Sequence, residues 1–166
     1  MSSRTQTVTA SSLGAYLNDH LAGSKAAMEL VTRCRADHEG TPLGETLSRL
    51  ATEIAADRVT LQDLMGRLEI RSHPSKLAIA WLMEKGARLR FSRRLTGSPE
   101  TSLLMQLESL SLGIEGKRLL WKSLMSLSGS DARLAHVDLD RLYRRAETQR
   151  DWIEPFRLEA AAAGLG

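Results

Sequence analysis

Several residue types are scarce in this 166-residue chain, and each scarcity excludes something. There is one cysteine, Cys34. It can close no disulfide within the chain and build no cysteine zinc cluster, so a disulfide-stapled or zinc-ribbon domain is excluded. A reducing compartment is the expectation. Aromatic residues make up 4% of the chain, and β-branched residues are sparse as well. No segment alternates Val, Ile, Thr, Tyr and Phe with polar residues as a half-buried strand does. Ser, Gly or a charge interrupts every apolar run well short of a membrane span. Met1-Ser2-Ser3-Arg4-Thr5 leads into Ser/Thr-rich sequence rather than the apolar core of a signal peptide. A cytoplasmic protein is expected. No glycine-rich loop is spaced to cradle a phosphate.

What fills the chain instead is Ala, Leu, Arg, Glu and Met, which lose little rotamer freedom in a helix. The length suits one domain. A chain of this size buries roughly two-thirds of its unfolded surface and folds without metal or disulfide.

Residues 1–10 read as a flexible N-terminus ahead of a single helical domain over 11–163. Ser11 or Ser12 can cap a first helix, about 12–37. Leu13, Tyr16, Leu17, His20, Ser24, Ala27, Val31 and Cys34 recur on one of its faces, where Cys34 reads as core packing. Gly40 suits the left-handed residue beyond a helix end. Thr41-Pro42 restarts the chain as cap and first helical residue. The second helix, about 42–70, carries an unbroken stripe of Leu43, Leu47, Leu50, Ile54, Asp57, Leu61, Leu64 and Leu68. His73-Pro74 breaks it. A shorter third segment, about 75–95, holds Leu77, Trp81, Leu82, Leu89 and Phe91 among basic residues. Ser98-Pro99-Glu100 repeats the cap-then-proline start for a helix over about 99–127. One of its stripes is Leu103, Leu107, Leu110, Ile114, Lys117, Trp121 and Leu124. A second is Met105, Glu108, Leu112, Glu115 and Leu119, so burial on two sides is expected. Asp138 caps a last helix, about 138–163, with Leu139, Leu142, Ala146, Gln149, Ile153 and Phe156 on one face. Pro155 should kink it, and Ala160 to Gly166 should fray. The fold class is all-α: a four-helix bundle with a helical crossover between the second and third core helices. A five-helix up-and-down bundle is the alternative.

Charge is uneven. The chain carries a net +3. Residues 71–98 hold Arg71, Lys76, Lys85, Arg88, Arg90, Arg93 and Arg94 against Glu84, a net +6 that leaves −3 elsewhere. The basic patch of Lys85, Arg88, Arg90, Arg93 and Arg94 is a candidate contact for an anionic lipid or nucleic acid, although no nucleic-acid motif is present. A solvated helix face explains the same charges and is preferred.

Two stretches carry a resemblance. Leu13-Gly-Ala-Tyr-Leu-Asn-Asp-His-Leu-Ala-Gly23 is similar to the first helix of uncharacterised bacterial ferritin-like proteins. Leu107-Glu-Ser-Leu-Ser-Leu-Gly-Ile-Glu-Gly-Lys117 is similar to their third core helix. The resemblance implies the ferritin-like bundle. Di-iron members of that superfamily use a glutamate from each of two helices and Glu-x-x-His from each of the others. No Glu-x-x-His occurs here. Ala56, Ser111, Arg118 and Arg150 stand three residues after Glu53, Glu108, Glu115 and Glu147. An arginine offers a metal no lone pair.

Polar residues at stripe positions are the remaining candidates. Asp57 interrupts an apolar stripe, and a buried carboxylate needs a metal, a partner or a proton. His20, Asp57, Glu108 and Glu115 are the candidate ligands of a divergent site for iron, manganese or zinc. The preferred reading is an interior polar network including Lys117 and Gln149, with Lys117 or Arg58 neutralising Asp57 or a glutamate. His38, His73 and His136 fall in predicted loops. The expected function is a non-catalytic association scaffold without a resident cofactor, pairing as a homodimer. The alternative is a metal-binding redox or storage protein with altered ligands.

Overall fold

The computed structural model describes residues 3–73 and 98–166, with the side chains of the first helix described from Ser12 onward. Among these residues there are four long α-helices, one short 3-10 turn and no strand. The helices are α1 (Ser3–Asp37), α2 (Pro42–Arg67), α3 (Pro99–Leu127) and α4 (Leu139–Leu165). The predicted third segment, about 75–95, lies outside the described residues, as do Trp81 and the basic patch of Lys85, Arg88, Arg90, Arg93 and Arg94. No helix among the described residues is long and apolar enough to cross a membrane.

The caps form where the sequence places them. Thr41 Oγ1 accepts from the Gly44 amide at 3.1 Å, with Pro42 in the first turn. A Cβ on Gly44 would stand 2.1 Å from the His38 carbonyl oxygen, so the tight α1–α2 turn requires glycine there. Ser98 caps α3, and Asp138 Oδ1 accepts from the Arg141 amide at 2.9 Å to start α4.

Boundaries differ at three points. First, α1 begins at Ser3 rather than Ser11 or Ser12, since no proline or glycine in 3–11 interrupts a helix already nucleated downstream. Second, α2 ends at Arg67, three residues before the predicted end. The Ile70 amide donates to the Met65 carbonyl and the Glu69 amide to the Gly66 carbonyl, with Glu69 at φ 58°. This is the paired closure that usually recruits glycine. Glu69→Gly therefore relieves left-handed strain. It should stabilise the fold by about 0.5–1 kcal/mol, read as a rise of roughly 1–4 °C in Tm; a lower Tm would refute the strain. Third, α4 continues past 163. Thr101 Oγ1 donates to the Gly164 carbonyl at 3.0 Å, which ties the C-terminal turn to the start of α3. The helix also runs on through Pro155, which is exposed; water can take the place of the missing backbone donor there.

Two core layers set the helix directions. One joins Leu30, Val31 and Cys34 of α1 to Leu43–Ile54 of α2, Leu107–Ile114 of α3 and Ala146–Ile153 of α4. The other joins Leu17 and Leu21 to Leu61–Leu68, Leu120–Leu124, and Leu139 and Leu142. The C-terminal half of α1 thus sits with the N-terminal halves of α2 and α3 and the C-terminal half of α4. Helices α1 and α4 run one way, and α2 and α3 run the other. The end of α2 and the start of α3 therefore lie at opposite ends of the bundle. Parallel α2 and α3 fit both the crossover bundle and the five-helix up-and-down order, and they exclude only a four-helix up-and-down order, which would have made the two antiparallel. Helix α1 packs on α2 and α3, and α4 packs on α3 and α2.

The first predicted α3 stripe is core: Leu107, Leu110, Ile114, Trp121 and Leu124 are buried. The second faces out, with Leu112 64% and Leu119 47% exposed. Contact on two sides comes instead from Leu104 and Leu120, which flank the first stripe and are buried.

Beyond α2, Asn18 holds the chain. Its Nδ2 donates to the Arg71 carbonyl at 3.1 Å, and its Oδ1 accepts from the His73 amide at 2.6 Å. Asn18 is buried on α1, and its two bonds pin the exposed residues 71–73 to that helix.

Candidate functional site

Between the two apolar layers lies a polar one. Glu53 and Asp57 stand one turn apart on α2, Arg145 and Gln149 one turn apart on α4, and Lys117 reaches in from α3. Asp57 is 3% exposed and Gln149 is fully buried. Lys117 Nζ donates to Asp57 Oδ2 at 2.5 Å and to Gln149 Oε1. Arg145 donates to Asp57 Oδ1. Gln149 Nε2 donates to Glu53 Oε2 at 2.9 Å and to Asp57 Oδ2 at 3.2 Å. Two acids meet two bases, and the amide spans them. A lone carboxylate at this depth would be too costly to keep charged. Here both its oxygens are paired. Burial draws the Lys117 ammonium below its ordinary pKa, and Asp57 and Glu53 oppose that shift.

The sequence flagged Asp57, Lys117 and Gln149 and missed Arg145 and Glu53. Both missed residues are one turn before a flagged one on the same helix, and that spacing was the available signal. Arg58, offered as a neutralising partner, instead donates to Ser24 Oγ at 3.3 Å.

The four predicted metal ligands are not assembled. Asp57 is occupied by two cations. Glu108 is exposed, 3.6 Å from Arg157. Glu115 binds Arg118 at 2.6 Å and Arg150 at 2.7 Å on the α3–α4 seam. The Arg118 hydrogen bond, followed by Arg150, holds the Glu115 pKa down at about 2. His20 lies on α1 with its ring edge-on to Tyr16, centroids 4.6 Å apart. Burial lowers its pKa, and Asp19 offsets part of that. Among the described residues, no three His, Cys, Asp or Glu side chains are grouped to hold a metal ion. The physical reason is rotational. Glu108 and Glu115 share the outward stripe of α3, whereas Asp57 points into the bundle.

Beside the polar layer is an open cleft of about 510 Å³ between α1 and α3, floored by α2. Its wall is mainly apolar, with Ala27, Ile54, Leu61, Leu120 and Trp121. His20, Arg58 and Lys117 also line it. The sequence pattern placed His20 and Lys117 on inward faces but could not show that the two facing helices stand apart there.

Cys34 is fully buried, and burial followed by Asp37 pushes its thiol up to about 11. The neighbouring His38 ring bonds the Cys34 carbonyl oxygen at 2.8 Å. A raised thiol pKa leaves almost no thiolate below pH 9. Native protein should therefore label with a thiol reagent at pH 8 at least ~100-fold more slowly than urea-unfolded protein. Equal rates would contradict the burial.

No protein-family model matches the chain, and comparison with curated proteins and with solved structures gives no significant match.

Proposed function

We propose that this chain is a non-catalytic, ferritin-like helical bundle that works by association, with an ion-pair layer in place of a metal centre. The observation that carries the reading is the state of Asp57. Its carboxylate, at mid-bundle where a ligand would be wanted, is neutralised by Lys117 and Arg145. A metal would have to displace two cations and leave them with only Glu53 as a counter-charge. The parallel course of α2 and α3 is the one a ferritin-like arrangement has, and it is shared by a five-helix up-and-down bundle.

Association falls to the outward stripe of α3. Met105, Leu112 and Leu119 recur every seven residues, the spacing that keeps an apolar seam facing a second helix. Leu112 and Leu119 are among the most exposed large apolar side chains described. Glu108 and Glu115 flank them, with Arg157 and Arg150 close by to form a polar rim. The partner that fits is a second copy of the chain.

Sedimentation velocity tests this. The expected result is a dimer at micromolar concentration, and a monomer for the Leu112→Glu/Leu119→Glu variant with its helical circular dichroism unchanged. A wild-type monomer at about 100 μM, weaker than stable dimers show, would overturn the reading.

A further inference from the structure

We infer that the α1–α3 cleft binds a small amphipathic anion: one carboxylate head on an apolar tail. Two independent features of the cleft lead there, its shape and its surplus of hydrogen-bond donors.

The shape comes from glycine. Gly23 of α1 and Gly113 and Gly116 of α3 line the cleft, and a Cβ built on any of them meets nothing within 4 Å. Helix-interior glycine weakens a helix relative to alanine. Here it also leaves the two helices without side chains to fill the space between them. The volume of about 510 Å³ falls in the range of small-molecule sites, which are concave, mostly apolar and carry a few convergent polar groups. Ile54, Leu61, Ile114 and Leu120 offer a tail its apolar surface.

The donors set the head. Arg58 lines the cleft half-buried, with the Ser24 hydroxyl as its one hydrogen-bond partner and no carboxylate among the described residues. Lys117 has three N–H groups and spends two on Asp57 and Gln149. A buried donor left unpaired is costly. The Asp57 oxygens, the obvious acceptors nearby, are already taken by Lys117, Arg145 and Gln149. Arg58 and the third Lys117 N–H are the donors that the cleft offers a ligand, and a carboxylate brings two oxygens and a charge that complements Arg58. Because the Asp57 layer is charge-balanced, Arg58 is the cation left to be matched. Asp19, exposed at the rim, disfavours a multiply charged head.

The test is isothermal titration of the full chain with decanoate, with decanol as the head control and acetate as the tail control. Decanoate should bind one-to-one and saturably, decanol at least ~10-fold more weakly, the loss of a charge-assisted bond, and acetate not measurably. Arg58→Gln should weaken decanoate at least ~10-fold for the same reason. Gly23→Leu, which fills the cleft and favours the helix, should abolish binding. In the unmodified protein, nuclear Overhauser contacts should link decanoate methylenes to the Ile114 and Leu120 methyls. No saturable binding below about 1 mM, equal binding of decanol, unchanged binding by Gly23→Leu, or contacts only to methyl groups outside the cleft lining would each overturn the inference. A monomeric wild-type chain would sink the dimer and leave the cleft intact, although Leu112 belongs both to the proposed dimer face and to the cleft lining.

Discussion

Asp57→Ala should lose about 3–5 kcal/mol of folding stability, the scale seen when a buried ion pair loses one partner. The substitution does more than delete two hydrogen bonds. It leaves Lys117 and Arg145 together in the bundle centre with only Glu53 to balance them, and Glu53 contacts Gln149 rather than either base. Lys117→Met is expected to cost less, about 1–3 kcal/mol, because Arg145 still pairs with Asp57 and the methionine refills most of the volume. Combining Asp57→Leu with Lys117→Met and Arg145→Met removes the stranded charges, and an apolar layer of similar volume is often as stable as the ion pair it replaces. Urea denaturation of the three variants checks the order: the single Asp57 variant least stable, the triple variant recovering most of the loss. An Asp57→Ala loss below about 1 kcal/mol, the range of surface pairs, would mean that water reaches the layer and screens it.

The polar layer was partly legible in the sequence. Asp57, Lys117 and Gln149 stand at positions where periodicity demands an apolar residue, and a polar residue there must be paired. Arg145 carried only the weaker signal of standing one turn before Gln149, because a long side chain reaches the centre from outside the stripe. Glu108 and Glu115 show the opposite limit. Periodicity gives the angle between residues of one helix, and α3 carries two apolar stripes. Which one faced inward depended on α1, α2 and α4, and the stripe of Leu107, Ile114 and Trp121 took the core. Caps at Thr41, Ser98 and Asp138 were local and came through intact. The end of α2 did not, because its left-handed residue is Glu69, where the pattern looks for glycine. Helix direction was implied by the expected architecture, since the crossover bundle and the five-helix order share it. It is decided by which half of each helix shares a core layer, a property of pairs of distant segments.

Trp121 separates bulk from polarity in the same region. It is the largest of the fully buried side chains described and packs in the layer with Leu17, Leu64, Leu120 and Leu124. Trp121→Ala should cost about 3–5 kcal/mol, through lost burial and the void that remains. The open cleft beside it lets water enter that void, which favours the lower part of the range. Trp121→Phe should cost under about 1.5 kcal/mol, because the ring keeps most of the volume. It also removes the indole N–H that has no acceptor among the described residues, so no hydrogen bond is lost with it. Equilibrium urea curves with unchanged m-values would give both numbers on one scale. The informative quantity is the gap between the two variants. A phenylalanine as costly as alanine would show that the indole donates to an acceptor in the folded protein.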